Sequence, residues 1–224
     1  MRVSEPSQLK NGKANPVCSI KGWTVAGGTI NVRRSLGPPP TLNDLLRRVF
    51  ATDSGMIALW EPQRFSNITD YGTWERELLE DTDISRHIDQ GAFVPLNIHA
   101  DGAYDCAIRH GTGEAPATLS DREQRFLTVS SEPYLFRSNG MLAISGLEYI
   151  GRTPGNSASF LALSSGDWTA TIHLIDWTQE PGAKSKDGKP TKAALPDFVV
   201  LLNPSAAEIR YRMKVDTFGP HGRR

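Results

Sequence analysis

Between Ala92 and Val215 the sequence is a succession of short apolar runs, each closed by a turn bearing Gly, Asn, Asp or Pro. Alternation of this kind sends successive side chains to opposite faces of a strand, so one face can be buried while the other meets water. The pattern is sharpest in "PYLFRSNGMLAIS". There Asn139-Gly140 supplies the two positive φ angles of a type I′ turn and predicts a hairpin in fixed register. The same reasoning joins "AFVPLNIHA" to "AYDCAIRH" across Asp101-Gly102. "GMIALW" reads as a buried strand, and "GWTVAGGTINVRR" as two short strands around Gly27-Gly28. "ASFLALSS", "DWTATIHLIDW", "DFVVLLN" and "EIRYRMKV" complete the series.

Helical spacing is confined to a few segments. "TLNDLLRRVFA" predicts a helix with Thr41 as N-cap and an apolar stripe of Leu42, Leu45, Leu46, Val49 and Phe50. "DYGTWERELLEDTDISRHIDQG" reads as mainly helical, with Trp74, Leu78 and Leu79 on one side, carboxylates around the rest and Gly91 at its end. "LSDREQRFLTV" opens with one helical turn capped by Ser120.

Many short strands with regular turn signals and about two helices in the N-terminal third predict an α+β, mostly β fold, an antiparallel β-sandwich. An internal echo points to duplicated β-units. Phe93 and Leu96 match Phe160 and Leu163, and after a shorter connector Gly102, Tyr104 and Ile108 match Gly166, Trp168 and Ile172. Convergent turn chemistry is the alternative source of that echo. The expected organisation is a flexible leader over 1–20, one β-rich domain over 21–216 divisible at 150/151, and a tail over 217–224. "TQEPGAKSKDGKPTKAALPD" reads as a mobile loop or a contact surface.

The densest chemistry lies in "LNIHADGAYDCAIRH". On a strand, Tyr104, Cys106 and Ile108 share one face, and Ala103, Asp105, Ala107 and Arg109 the other. That places Cys106 among apolar neighbours, where a thiol is a poor nucleophile, and puts His110 on the order of 13 Å further along. His99 and Asp101 have a metal-like H-x-D spacing, for which His87, His173 and Asp176 are the supplements; a turn aspartate is the simpler reading. No G-x-S-x-G, P-loop, G-x-G-x-x-G or HExxH is present. Cys18 and Cys106 are too few for a zinc site or a disulfide scaffold and read as reduced thiols, with a single bridge as the alternative. No enzymatic activity and no cofactor are expected.

Twenty-five basic residues balance twenty-five acidic ones, which gives no overall signal for nucleic acid. The charges are divided, however. From Glu61 to Asp105 ten acidic residues face three basic ones, whereas from Lys184 onward nine Lys and Arg face four acidic residues. The acidic helical segment, with Glu75, Glu77, Glu80, Asp81 and Asp83, is the expected contact surface for a basic protein partner. A solvated face is the plain alternative. No run has the ~18 apolar residues of a membrane span, so a cytoplasmic protein is expected. Trp168 and Trp177, nine residues apart, would face opposite sides if one strand runs unbroken through both. Core packing is the plain reading, and an exposed one of the pair would suit a carbohydrate-binding module or a protein partner.

"DYGTWEREL", "GAFVPLNIHADGAYDCAIR", "SSEPYLFRSNGMLAISGLEYIG", "ATIHLIDW" and "PDFVVLLNP" resemble segments of bacterial β-sandwich proteins of the polymorphic-toxin immunity type. The likeness runs from Tyr71 to Pro204 and consists of hydrophobic patterns and turns. It implies a small cytoplasmic protein that binds and blocks a toxin without catalysis, and it transfers no functional residue.

Overall fold

The computed structural model describes residues 44–151, 157–206 and 208–219. The expected strands around Gly27-Gly28, the leader, Cys18 and Thr41 lie outside the described residues. The fold is α+β and mostly sheet. Its strands are β1 (Asp44–Thr52), β2 (Met56–Trp60), β3 (Phe93–Asn97), β4 (Gly102–His110), β5 (Leu127–Ser130), β6 (Tyr134–Ser138), β7 (Met141–Gly146), β8 (Ser159–Ala162), β9 (Gly166–Ile175) and β10 (Phe198–Pro204). The helices are α1 (Tyr71–Leu78), α2 (Asp81–Asp89) and α3 (Asp121–Arg125).

Two sheets result. The larger has the order β1-β4-β10-β9-β5, with β6 also paired to β9, and the smaller the order β3-β2-β7-β8. The pairings are antiparallel except β10 on β4, which is parallel, so the larger sheet is mixed. That corrects the all-antiparallel expectation. One hydrophobic cluster joins the sheets: Ile57, Leu59, Leu96, Leu142 and Ile144 from the smaller meet Cys106, Ile108, Ile172, Phe198 and Val200 from the larger. A second cluster with Ala107, Leu119, Leu195, Val199 and Leu201 covers the other face of the larger sheet.

The segment expected as the first helix is strand β1. Leu45, Leu46, Val49 and Phe50 keep the helical period, and pairing to β4 overrides it. Phe50 is buried, and Arg47 donates to the Asp105 carboxylate at 2.9 Å and to the Ala194 carbonyl at 2.6 Å. The second helical segment is a pair of short helices. Asp70 caps α1 in a capping box with Thr73, and Glu80 stands at the N-cap of α2. Leu78, Ile84 and Ile88 bury this pair against Phe65 and Phe93. Ser120 caps α3 as expected, reciprocally with Glu123.

Both expected hairpins are instead crossings between sheets. β3 belongs to the smaller sheet and β4 to the larger, so 98–101 is an arch; His99 adopts φ 58 there, rare for a non-glycine residue. β6 lies in the larger sheet and β7 in the smaller, joined across Asn139-Gly140 with Gly140 at φ 108. The Ser138 hydroxyl fixes that crossing, accepting the Gly140 N–H and donating to the Leu163 carbonyl. β1 to β2 and β8 to β9 cross in the same way. The echoed segments are therefore alike in space: each starts on an edge strand of the smaller sheet and crosses to a strand beside β10.

Thr217 is buried, accepting the Asn97 N–H and donating to the Pro95 carbonyl. The lysine-rich segment after Trp177 packs on the larger sheet through Ala183, Ala194 and Leu195. Arg122 ties it down, donating to Glu180 and to the Ala193 carbonyl. No described helix is long and apolar enough to cross a membrane.

Candidate functional site

The reactive-looking run from 96 to 110 is divided as the strand period requires. Cys106 and Ile108 enter the cluster between the sheets, while Ala107 enters the outer one. Burial pushes the Cys106 thiol well above its ordinary pKa, and the charges of Asp105 and Asp197 add to the effect. His110 stands edge-on to Trp168 with ring centroids 6.1 Å apart. His99 is turned to Asp216, at 3.1 Å. Among the described residues no group of three or more His, Cys, Asp or Glu is placed to hold a metal.

The larger sheet also makes a polar pair that the sequence left unremarked. Ser130 and His173 face each other across β5 and β9, with Oγ and Nδ1 2.8 Å apart. Burial lowers the His173 pKa and favours the neutral ring, the state of a general base. Glu123, whose charge acts on His173, has its oxygens committed to Arg109 at 2.7 and 2.8 Å and to Ser120 at 2.8 Å. The His173 Nε2 is buried and has no hydrogen-bond partner among the described residues, so no third member orients the imidazole and the pair reads as a cross-strand hydrogen bond.

The five expected partner-binding carboxylates all lie on or between α1 and α2, and they are not equivalent. Glu77 accepts from Arg86 at 3.1 Å and meets His87 Nε2 at 3.0 Å; Asp83 accepts from the same Arg86 at 3.1 Å. Glu77 thus holds α1 to α2, whereas the Asp83 pair lies within α2. Burial lowers the His87 pKa in spite of the Glu77 carboxylate beside it. Glu75, Glu80 and Asp81 are exposed. Two large apolar side chains stand among them: Tyr71 is 70% exposed and Leu79 50%. The Tyr71 ring stacks on Trp74 (5.9 Å, 19°), and the Trp74 indole N–H donates to the Leu147 carbonyl. Tyr71 is thereby held outward on a fixed support. The sequence reads Leu79 on one side with Trp74 and Leu78, but Leu78 is buried and Leu79 is not.

Trp168 is buried, with its N–H donated to the Ser164 carbonyl. Trp177 packs on the outer cluster and donates to Asp197 at 2.6 Å. Neither ring stands clear as a platform for a sugar.

No family model and no curated protein matches the chain. Among solved structures it is similar to one described as "Crocagin biosynthetic gene J", at 16% identity and a TM-score of 0.47, covering 71% of this chain and 96% of that one. It is also similar to ComJ from Bacillus subtilis, described as an inhibitor of the DNA-degrading activity of NucA. That likeness has 7% identity and a TM-score of 0.41, and covers 74% of this chain and all of the other.

Proposed function

We propose that this chain is a non-catalytic binding protein, a β-sandwich of the immunity type, that docks a basic protein partner on the α1–α2 pair. One observation carries the reading: Tyr71 and Leu79 are exposed on the same helix pair that exposes Glu75, Glu80 and Asp81. Interfaces concentrate their affinity in a few desolvated aromatic or apolar anchors, and surrounding charge steers encounter and selects the partner. The arrangement on α1–α2 has both parts. A toxin domain that acts on nucleic acid carries a basic cleft, and a carboxylate-rimmed apolar patch suits such a surface.

The test is capture of a basic protein from the native host by wild-type chain, compared with two variants. Glu75→Lys/Glu80→Lys/Asp81→Lys should slow association and abolish its salt dependence, and Tyr71→Ala/Leu79→Ala should shorten the lifetime of the complex. Both leave Glu77, Asp83 and the helix core untouched, so both should fold, with losses of only about 1 kcal/mol from the reversed charges at the α2 N-terminus and from the lost Tyr71–Trp74 stacking. Equal capture by all three proteins removes this face from the account.

A further inference from the structure

At one end of the two sheets the structure leaves a cavity of about 260 Å³. Its walls are Tyr104 on β4, Phe198 on β10 and Phe218 in the C-terminal segment, with Leu174 and Ile98 between them and His99 and Asp197 contributing polar atoms. The rings are set at fixed angles. Tyr104 meets Phe198 edge to face (5.8 Å, 67°), and Phe218 lies nearly parallel to Phe198 (6.5 Å, 12°). The polar groups are held as firmly. Asp197 accepts the Trp177 indole N–H at 2.6 Å and the Asp105 N–H at 2.7 Å, and the Tyr104 hydroxyl donates to the Ala100 carbonyl. At the mouth Asp216 meets His99.

We propose that this cavity binds a small organic cation, an alkylammonium or guanidinium group. Three aromatic rings line one space, and a cation within about 6 Å of a ring centroid is attracted to its π face. Asp197 and Asp216 add negative charge at the wall and the mouth, which disfavours an anion. Burial holds the Tyr104 phenol above its ordinary pKa, and the charges of Asp197 and Asp101 raise it further, as a negative local potential requires. Size argues in the same direction: drug-sized ligands occupy roughly 300–1,000 Å³, so this space suits one short cationic group. The site is separate from the α1–α2 surface, and its success or failure leaves that reading where it stands.

The experiment is a two-dimensional NMR titration of the full chain with butylammonium chloride, 1-butanol and sodium butyrate. Acetyl-arginine amide and acetyl-lysine amide form a second arm. Saturable shifts at the amides of Asn97, Phe198, Thr217 and Phe218 are expected with the three cations, and at least tenfold weaker response with butanol and butyrate. Tyr104→Phe keeps the ring and should bind as the wild type does, whereas Phe218→Leu fills similar space without a π face and should bind about tenfold more weakly. Tighter binding of the amino-acid amides identifies a side chain of another protein as the natural occupant; tighter binding of butylammonium identifies a free amine. Equal response to butanol, shifts confined to residues outside the cavity, or full binding by Phe218→Leu overturns the proposal.

Discussion

Arg109 and Glu123 form a two-pronged ion pair, 2.7 and 2.8 Å, in which the Glu123 side chain is only 3% exposed. The same carboxylate accepts the Ser120 backbone N–H and hydroxyl, so one group both caps α3 and anchors it to β4. Removing one partner of a buried pair leaves the other charge desolvated, a loss of about 3–5 kcal/mol. Glu123→Gln should therefore destabilise the fold by about that amount, read as a shift in the urea midpoint. A loss near zero would show the pair to be solvated.

That carboxyl also sets an acid limit. Burial pushes its pKa up, but the hydrogen bonds from Arg109 and Ser120 outweigh burial and hold it below the ordinary value. The lowered folded pKa means its contribution is complete above the unfolded value of about 4.3 and is lost as pH falls through the folded one. Acid unfolding followed by circular dichroism should show a steeper wild-type curve in that range than Glu123→Gln.

His87 and His173 act in a higher window. Burial lowers both pKa values, so between the folded values and about 6.5 the unfolded chain holds the extra protons. Stability should be full above about pH 6.5 and decline as pH drops toward the folded pKa values. His87→Gln/His173→Gln should flatten the dependence of the urea midpoint on pH across this window. An unchanged slope would assign it to other groups.

Gly140, at φ 108, turns the chain from β6 into β7. A Cβ there would meet only Ser165 Oγ, at 3.8 Å, so backbone conformation and not crowding opposes a side chain. Gly140→Ala should cost about 1–2 kcal/mol, measured by chemical denaturation. A neutral substitution would mean that the crossing tolerates a different turn.

Cys106 should resist a thiol reagent in the folded chain. In Cys18→Ser protein, labelling by a disulfide reagent should proceed at the rate of unfolding, since the thiol is fully buried and its pKa well raised. Rapid labelling in native buffer would place that thiol at the surface.

Local rules identified what local chemistry decides. Ser120 was legible as a cap because its partner lies three residues away, and the buried strand around Leu59 was legible from its apolar run. β1 was misread because its apolar spacing is helical, and what overrides that spacing is pairing to β4, with Asp105 fifty-eight residues from Arg47. The Asn139-Gly140 signal marked where β6 ends, but only Gly140 takes a positive φ, so the type I′ turn is not formed. Nor does the signal say whether the next strand pairs with the last or crosses to another sheet. The acidic face was visible as charge, whereas the withdrawal of Glu77 into a contact with His87 depends on how two helices pack. The cavity had no local signature: Tyr104 meets Phe198 and Phe218 only through the β4–β10 pairing and the return of the C-terminal segment.

The position of β10 has a consequence for how the chain comes to be folded. It lies between β4 and β9, bonding to Cys106–His110 on one side and to Trp168–Leu174 on the other, although it follows both in synthesis. A ribosome releasing this chain exposes the flanks of β4 and β9 until Phe198–Pro204 emerges to join them. Completion of the larger sheet is thus late, and a chain truncated before Phe198 would leave the β1–β4 pair and the β9 pairings without the strand that joins them.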